Sequence, residues 1–213
     1  MLGKERLWHR SGPDMYKYHA FFSYKRHPRT DDWHERVKEI IQYWLSQELG
    51  IPDVNIFFDK QSIDNGLLFD NAIRDALRSS ATLITILSPL YFSSHHCRAE
   101  LNAFTQREDH LQKPRGLLIS CARFHDGANY PSPFEKMQAI DLSPYANTAK
   151  AFWESIDGAA FDKVLQSFAR EIATKIRIAP NWDSAFPDPP YDPTAGKAPQ
   201  PIMRPADYLG SRR

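Results

Sequence analysis

The segment from residue 81 to residue 101 reads ATLITILSPLYFSSHHCRAEL and decides how this chain folds. Residues 81–87 form a short apolar run, which predicts a buried β-strand. A turn at Ser88-Pro89 follows, and the residues after it predict a helix that carries Glu100. A carboxylate near a helix start, just past the carboxyl end of a strand, lies where open α/β sheets bind ligands. Glu100 is therefore the first candidate for a functional side chain.

Strands and helices are predicted to alternate on both sides of this segment. Apolar or aromatic runs predict further strands at residues 17–23, 54–58, 116–121 and 137–142. Apolar stripes with helical spacing predict helices at residues 31–49, around 69–77 and at 160–178. Such alternation is typical of a parallel sheet covered by helices on both faces. We therefore expect an α/β, flavodoxin-like, doubly wound five-stranded parallel sheet of order 2-1-3-4-5.

The predicted strand order places a crevice between the first and third strands. The loops that line it are expected to be residues 23–26 and the chain from Ser88 onward. Asp31 is expected to cap the first helix, since a short acidic side chain can accept hydrogen bonds from the first free amides. Glu100 belongs to the helix that leaves this crevice.

Composition excludes several classes of protein. The chain has 213 residues, 42% of them hydrophobic, and a net charge of +1, so nothing in its overall charge indicates nucleic-acid binding. Cys97 and Cys121 show no zinc-ligand spacing, and no metal site is predicted. No apolar run reaches the length of a membrane span, and the first residues lack the apolar stretch of a signal peptide. We therefore predict a cytoplasmic protein without a membrane partner.

Three segments are distinguished along the chain. Residues 1–15 are predicted to be a polar lead-in, and residues 16–179 a single domain. Residues 180–213 contain eight prolines, which rules out a long helix or a central strand and predicts a tail or linker to another module. Apolar docking could order part of this tail through its aromatic residues Trp182, Phe186 and Tyr191.

Three motifs occur in an order that is similar to that of the Toll/interleukin receptor (TIR) domain family. HAFFSYKR at 19–26 resembles the first-strand signature of the family. IFFDKQSIDNG at 56–66 resembles its second strand and the BB loop that follows. LSPLYFSSHHCRAEL at 87–101 resembles its αC motif. The resemblance covers about residues 17–178 and is closer to bacterial immune effectors than to animal receptors.

Several roles are implied by this resemblance alone. In catalytic TIR domains the glutamate of the αC motif cleaves NAD⁺ at the nicotinamide–ribose bond, and that role passes to Glu100. NAD⁺ is then a substrate and no cofactor is expected. The substrate-binding positions implied are Tyr24, Lys25, Arg26, Asp59, Asp64, Gly66 and His96. Many TIR enzymes have tryptophan where this chain has His96, so the stacking wall for the ribose or base is either weaker here or supplied by the histidine.

The chemistry requires little of the protein besides a carboxylate. Nicotinamide leaves NAD⁺ as a neutral molecule, so no acid has to protonate it, and the transition state resembles an oxocarbenium ion. One glutamate can stabilise that charge while Lys25 and Arg26 offset the pyrophosphate. The sequence contains neither a GxGxxG nor a Walker phosphate loop.

Alternatives remain open at this stage. Lys25 and Arg26 can be ordinary loop charges, Asp59 a capping residue, and Cys97, Tyr91 and Phe92 packing residues. TIR domains also act as non-enzymatic scaffolds through homotypic contacts, and in enzymes of the family a neighbour's BB loop often completes the site. A phospho-receiver is disfavoured because Ser23-Tyr24-Lys25-Arg26 stands where its acidic cluster would be. We therefore predict an NAD⁺ nucleosidase, or ADP-ribosyl cyclase, activated by self-association in immune signalling, with a scaffold as the alternative.

Overall fold

The computed structural model describes residues 15–59, 66–126, 130–131 and 138–187, with residues 66–70 described by their secondary structure only. The described chain contains five strands and five α-helices, which alternate up to β3; α3 is then followed directly by α4, and β4 by β5. The strands are β1 (Tyr18–Tyr24), β2 (Ile56–Phe58), β3 (Ser80–Leu87), β4 (Ile119–Arg123) and β5 (Ile140–Asp141). The helices are α1 (Asp31–Leu49), α2 (Gly66–Arg78), α3 (Pro89–Ser93), α4 (His95–His110) and α5 (Ile156–Ile178). Two 3₁₀ helices, Ser143–Tyr145 and Lys150–Glu154, precede α5.

The five strands form one parallel sheet in the order β2-β1-β3-β4-β5. This confirms the predicted α/β, flavodoxin-like fold and its strand order. Ser23 of β1 pairs with Thr85 of β3, so the carboxyl ends of these two central strands lie side by side. The crevice predicted between the first and third strands is expected at this edge, and it stays a prediction.

Each face of the sheet packs against its own set of helices. Ala20, Phe22 and Tyr24 of β1 point into a core that they share with residues of α1 and α5. Phe21 lies in a second core, which contains residues of α2, α3 and α4. Successive side chains of a strand point to opposite faces, so Ser23 belongs to the same face as Phe21. Ser23 is therefore directed towards α4, the helix of Glu100.

The first helix follows the predicted stripe but not the predicted cap. Trp33, Val37 and Leu45 are buried at helical spacing, as expected for the core face of α1. The N-cap is Thr30 and not Asp31. The carboxylate of Asp31 instead accepts a hydrogen bond from the backbone N–H of His27, which lies before the helix, so the prediction for Asp31 was wrong.

Two element boundaries also differ from the prediction, each because of one polar side chain. The carboxylate of Glu108 on α4 accepts hydrogen bonds from the backbone N–H groups of Gly116 and Leu118. These bonds hold the approach to β4, which begins at Ile119 and not at residue 116. The last helix begins at Ile156, four residues earlier than predicted, because Ser155 caps it by accepting from Gly158 N–H.

The chain after α5 docks on the amino-terminal edge of the sheet. Trp182 Nε1 donates a hydrogen bond to the carbonyl oxygen of Arg78, at the end of α2. The ring of Phe186 is buried and lies against the guanidinium of Arg107. Docking by these two aromatic residues agrees with the expectation, while Tyr191 lies outside the described residues. Within the described chain no helix is both long and apolar enough to pass through a lipid bilayer.

Candidate active site

The helix of Glu100 is set in place by two serine caps. Ser88 accepts a hydrogen bond from Tyr91 N–H and Pro89 occupies the first turn, so α3 begins directly where β3 ends. Ser94 has an extended backbone and interrupts what the sequence predicts as one helix. Its side chain accepts from Cys97 N–H and starts α4 in a new direction. Glu100 follows within the second turn of α4.

The carboxyl group of Glu100 points into the protein next to the end of β1. Glu100 is 7% exposed, and its Oε2 is hydrogen-bonded to Ser23 Oγ at 2.5 Å. Ser23 Oγ is also 2.8 Å from the hydroxyl of Tyr91. The Tyr91 hydroxyl in turn donates to the carbonyl oxygen of Cys97 at 3.0 Å. These contacts make a continuous chain of hydrogen bonds from α4 through β1 and α3 and back to α4.

Burial changes the acidity of this carboxyl group. Desolvation raises the pKa of Glu100 from 4.5 to about 8, since the charged form loses its contact with water. The hydrogen bond from Ser23 opposes that increase, and the negative charge of Asp59 adds to it. Glu100 is therefore mostly protonated at neutral pH, and a nearby positive charge would favour its ionised form.

The side chain of Tyr24 points to the opposite face of the sheet from Ser23 and Glu100, and Asp59 directly follows β2. The ring of Tyr24 stacks on Phe58 at 4.9 Å between centroids, and its hydroxyl donates to the carbonyl oxygen of Asp59 at 3.0 Å. The Asp59 carboxylate lies 3.4 Å from the guanidinium of Arg26. Burial raises the pKa of the Tyr24 phenol. These contacts join the carboxyl ends of β1 and β2, and substrate contact by Tyr24, Arg26 or Asp59 stays a prediction.

The other predicted substrate-binding residues have different settings. Lys25 is half-buried after β1 and acts electrostatically on Cys97. His96 is exposed on the first turn of α4, with its ring 6.1 Å from that of His95. Gly66 is the first residue of α2, and Asp64 lies outside the described residues. The roles predicted for these four positions therefore stay predictions.

Cys97 is packed and not exposed as a nucleophile. It is 4% exposed, and its thiol donates to the carbonyl oxygen of Tyr24 at 3.4 Å. Burial raises the pKa of this thiol to about 12, so a reactive thiolate is not formed at neutral pH. In the described part of the chain no cluster of three metal-binding side chains occurs.

Two members of the Glu100 network were not assigned to the site from the sequence. Ser23 was placed only in a loop lining the crevice, and Tyr91 was interpreted as a packing residue. Tyr91 is 0% exposed and does pack, but its hydroxyl also contacts Ser23. The alternation along β1 was a usable signal, because it puts Ser23 on the face that α4 covers.

Comparison with known proteins agrees with this architecture. A family model described as TIR domain matches residues 21–156, which is more than half of the 213 residues. The chain therefore belongs to the TIR domain family. No curated protein matches the chain significantly.

Proposed function

We propose that this TIR domain is an NAD⁺ nucleosidase that releases nicotinamide, with Glu100 as its catalytic carboxylate. The observation that carries the proposal is the buried carboxyl group of Glu100, hydrogen-bonded to Ser23 at the carboxyl ends of the central strands. Ligands of open α/β sheets bind at this edge. A carboxyl group with a raised pKa at such an edge is a frequent mark of a functional residue.

The pyridinium charge of NAD⁺ fits the acidity of Glu100. A cation beside the buried carboxyl lowers its pKa and favours the carboxylate at the moment when substrate is bound. The bond between ribose C1′ and the pyridinium nitrogen then breaks, and both electrons leave on neutral nicotinamide. Glu100 stabilises the positive charge that develops on the ribose. Water adds to C1′ and loses a proton, whereas attack by the adenine of the same molecule would give a cyclic product.

The charged residues near β1 and β2 fit the rest of the substrate. Lys25 and Arg26 follow β1 and supply positive charge for the pyrophosphate. Arg26 is shared with Asp59, so binding of the pyrophosphate would compete with an existing ion pair. His96 is exposed and has the surface needed to stack on a ribose or base.

Self-association is part of the proposal. The family resemblance implies that the BB loop of a neighbouring copy completes the site, and that loop corresponds to residues between β2 and α2. Joining two copies would raise activity by positioning alone. We propose that the assembled form signals in immune defence, and that a sensor or partner is connected through the Pro-rich tail.

The test is release of nicotinamide from NAD⁺ by concentrated protein. We expect activity that rises more steeply than linearly with protein concentration, and at least a hundredfold loss in Glu100→Gln. Glu171→Gln, which changes an exposed glutamate on α5, serves as the matched control and should retain full activity. Equal rates in Glu100→Gln and the unchanged protein would remove the enzyme hypothesis.

A scaffold is the second candidate, and one surface feature favours it. Leu90 on the short helix α3 is 55% exposed, an apolar side chain available for contact with another copy. If the protein only recruits other TIR domains, Leu90→Asp should abolish self-association while NAD⁺ stays intact in every preparation. Sedimentation velocity together with the nicotinamide assay separates the two functions.

A further inference from the structure

The direction of each hydrogen bond between the buried side chains of Glu100, Ser23 and Tyr91 depends on the directions of the others. Ser23, Tyr91 and Glu100 are 1%, 0% and 7% exposed, so bulk water does not complete their hydrogen bonds. The carbonyl oxygen of Cys97 can only accept, and Tyr91 must therefore donate its single proton there. Ser23 is 2.8 Å from the Tyr91 oxygen and has to donate to it. Ser23 Oγ donates to Glu100 Oε2 when the acid is ionised, but a Ser23 proton that is given to Tyr91 leaves this contact in need of a proton from the carboxyl group.

Counting protons distinguishes the two states of the acid. With Glu100 protonated, three protons serve three contacts, and the chain runs from Glu100 to Ser23 to Tyr91 to the Cys97 carbonyl. With Glu100 ionised, only two protons remain for the same three contacts. Ser23 must then turn its hydroxyl towards the carboxylate. The single proton of the Tyr91 hydroxyl can be donated either to Ser23 Oγ or to the carbonyl oxygen of Cys97, but not to both. One buried contact is left without a proton, which is costly.

We propose that Ser23 and Tyr91 are positioning residues that form a two-state hydrogen-bond switch controlling when Glu100 presents a carboxylate. This inference rests on the proposed function and names the residues that regulate its catalytic group. In the resting state Tyr91 donates to the Cys97 carbonyl and accepts from Ser23, and this direction of the hydrogen bonds keeps the proton on Glu100. When a cationic substrate arrives, the proton passes to water, Ser23 reverses its hydroxyl, and the carboxylate gains a donor. No carbon bond forms or breaks in this step.

The other titratable groups around Glu100 do not set the polarity of this chain. Asp59, after β2, disfavours the carboxylate through its negative charge. Cys97 on the same helix and Tyr91 on α3 stay protonated near neutral pH, because burial raises both pKa values. Lys25, after β1, is the cation that acts on Cys97. Cys97 and Tyr91 therefore do not change charge in the range in which Glu100 titrates.

The two hydroxyl groups are expected to act in opposite directions, which a purely structural role would not produce. Ser23→Ala removes the donor that the ionised carboxylate has within the described chain, so the pKa of Glu100 rises further. Tyr91→Phe keeps the ring but frees Ser23 to donate permanently to Glu100, so the pKa falls. Ser23→Thr keeps a hydroxyl and should restore the value of the unchanged protein.

The experiment is titration of the Glu100 side-chain carboxyl by ¹³C NMR in the full chain, assigned with Glu100→Gln. Ser120→Ala and Tyr130→Phe are matched controls and should leave the titration unchanged. Ser120 is buried in β4 with no hydrogen-bond partner for Oγ within the described chain, and the Tyr130 hydroxyl donates to the carbonyl of Leu87. Shifts of the same sign in Ser23→Ala and Tyr91→Phe, or no shift in either, overturn the switch. If Ser23→Ala does not fold, the Glu100 pKa in Tyr91→Phe is measured alone: a lower pKa supports the switch, and an unchanged or higher pKa overturns it.

Kinetics form the second readout. At a pH below the midpoint, kcat/KM for NAD⁺ should fall tenfold for each unit by which Ser23→Ala raises the pKa, and rise in Tyr91→Phe. If the Glu100 pKa moves in opposite directions in the two variants but no nicotinamide is released, the switch is supported and the nucleosidase proposal is refuted. Nicotinamide release that depends on Glu100, without opposite shifts, would refute the switch and keep the enzyme.

Discussion

The guanidinium of Arg26 lies 3.4 Å from the carboxylate of Asp59, and this ion pair joins the ends of β1 and β2 beside Glu100. The two side chains are 34% and 18% exposed, so the pair itself contributes less than about 1 kcal/mol to stability. Its larger effect is electrostatic, because the charge of Asp59 raises the pKa of Glu100. The ion pair therefore connects a predicted pyrophosphate-binding residue to the acidity of the predicted catalytic group.

Removing the charge of Asp59 should move the pH dependence of activity. Below the midpoint, kcat/KM for NAD⁺ is expected to rise about tenfold per pH unit, because it follows ionisation of Glu100 in the free protein. The midpoint should be at about 8, the pKa to which burial raises Glu100. Asp59→Asn should move it to lower pH, measured as nicotinamide release from pH 5.5 to 9.5.

Asp141→Asn is the control for Asp59→Asn. Asp141 is the last residue of β5 and also faces an arginine, with its carboxylate 3.8 Å from Arg123. It does not contribute to the pKa of Glu100, so its removal should leave the midpoint in place. An unchanged midpoint in Asp59→Asn would contradict the electrostatic coupling.

Glu100→Gln should stabilise the fold, and increasingly so as the pH rises. The folded protein holds the Glu100 proton up to about pH 8, whereas the ordinary pKa of a glutamate side chain, as in the unfolded protein, is 4.5. Between these values the unfolded chain loses the proton first, so stability of the unchanged protein falls with pH, by about 1.4 kcal/mol per unit for this group. The gain of Glu100→Gln should therefore be absent below 4.5, grow between 4.5 and about 8, and then stay constant.

Urea denaturation at pH 5, 6, 7, 8 and 9 measures this gain. Glu171→Gln is again the control, since its exposed carboxylate should give a difference from the unchanged protein of less than about 0.5 kcal/mol. Parallel stability curves for Glu100→Gln and the unchanged protein would show that burial does not shift the pKa of Glu100.

Arg107→Lys should destabilise the protein by about 2–4 kcal/mol. Arg107 is 2% exposed, donates to the carbonyl oxygens of Ser80 and Leu77, and lies between the rings of Phe104 and Phe186. A lysine ammonium is not planar, so it cannot donate to both carbonyl oxygens and also present a flat face to each of the two rings. Denaturant unfolding gives the difference in free energy.

Two further variants make the Arg107 test specific. Arg115→Lys changes an exposed arginine of an ion pair with Asp109 and should alter stability by less than about 0.5 kcal/mol. Phe186→Ala should cost less than Arg107→Lys, because the short segment after α5 can detach locally without unfolding the sheet. A larger loss in Phe186→Ala would mean that this segment is required for the whole fold.

Gly158→Ala should destabilise the start of α5. A Cβ at this position would be 2.5 Å from the carbonyl oxygen of Phe152 and 2.9 Å from that of Trp153. Both neighbours are backbone atoms, so relief requires movement of the chain, at a cost of about 1–3 kcal/mol. This outweighs the advantage of about 1 kcal/mol that alanine normally has over glycine in a helix. Thermal melts should show a lower Tm, whereas Ala160→Ser on the exposed side should have little effect.

The sequence predicted what depends on periodicity. Apolar runs and helical stripes predicted the central elements and the buried positions of α1, because burial of one face leaves a repeating pattern. The strand order followed from the alternation of strands and helices and from right-handed crossovers. Boundaries were missed where one distant polar side chain decides them, as Glu108 does before β4. The Ser23–Glu100 hydrogen bond joins residues 77 positions apart. It depends on the direction that Ser94 gives to α4, which no local pattern specifies.

Trp182 and Phe186 determine where the described segment after α5 lies on the sheet. They bind it near Ser80, at the amino-terminal end of β3, whereas Ser23 and Glu100 lie towards the carboxyl end of that strand. Ser80 and Thr85, the residue of β3 that pairs with Ser23, are five residues apart, which is roughly 17 Å at 3.3 Å per residue. The described segment after α5 therefore lies away from the carboxyl ends of β1 and β3, where Ser23 and Glu100 are.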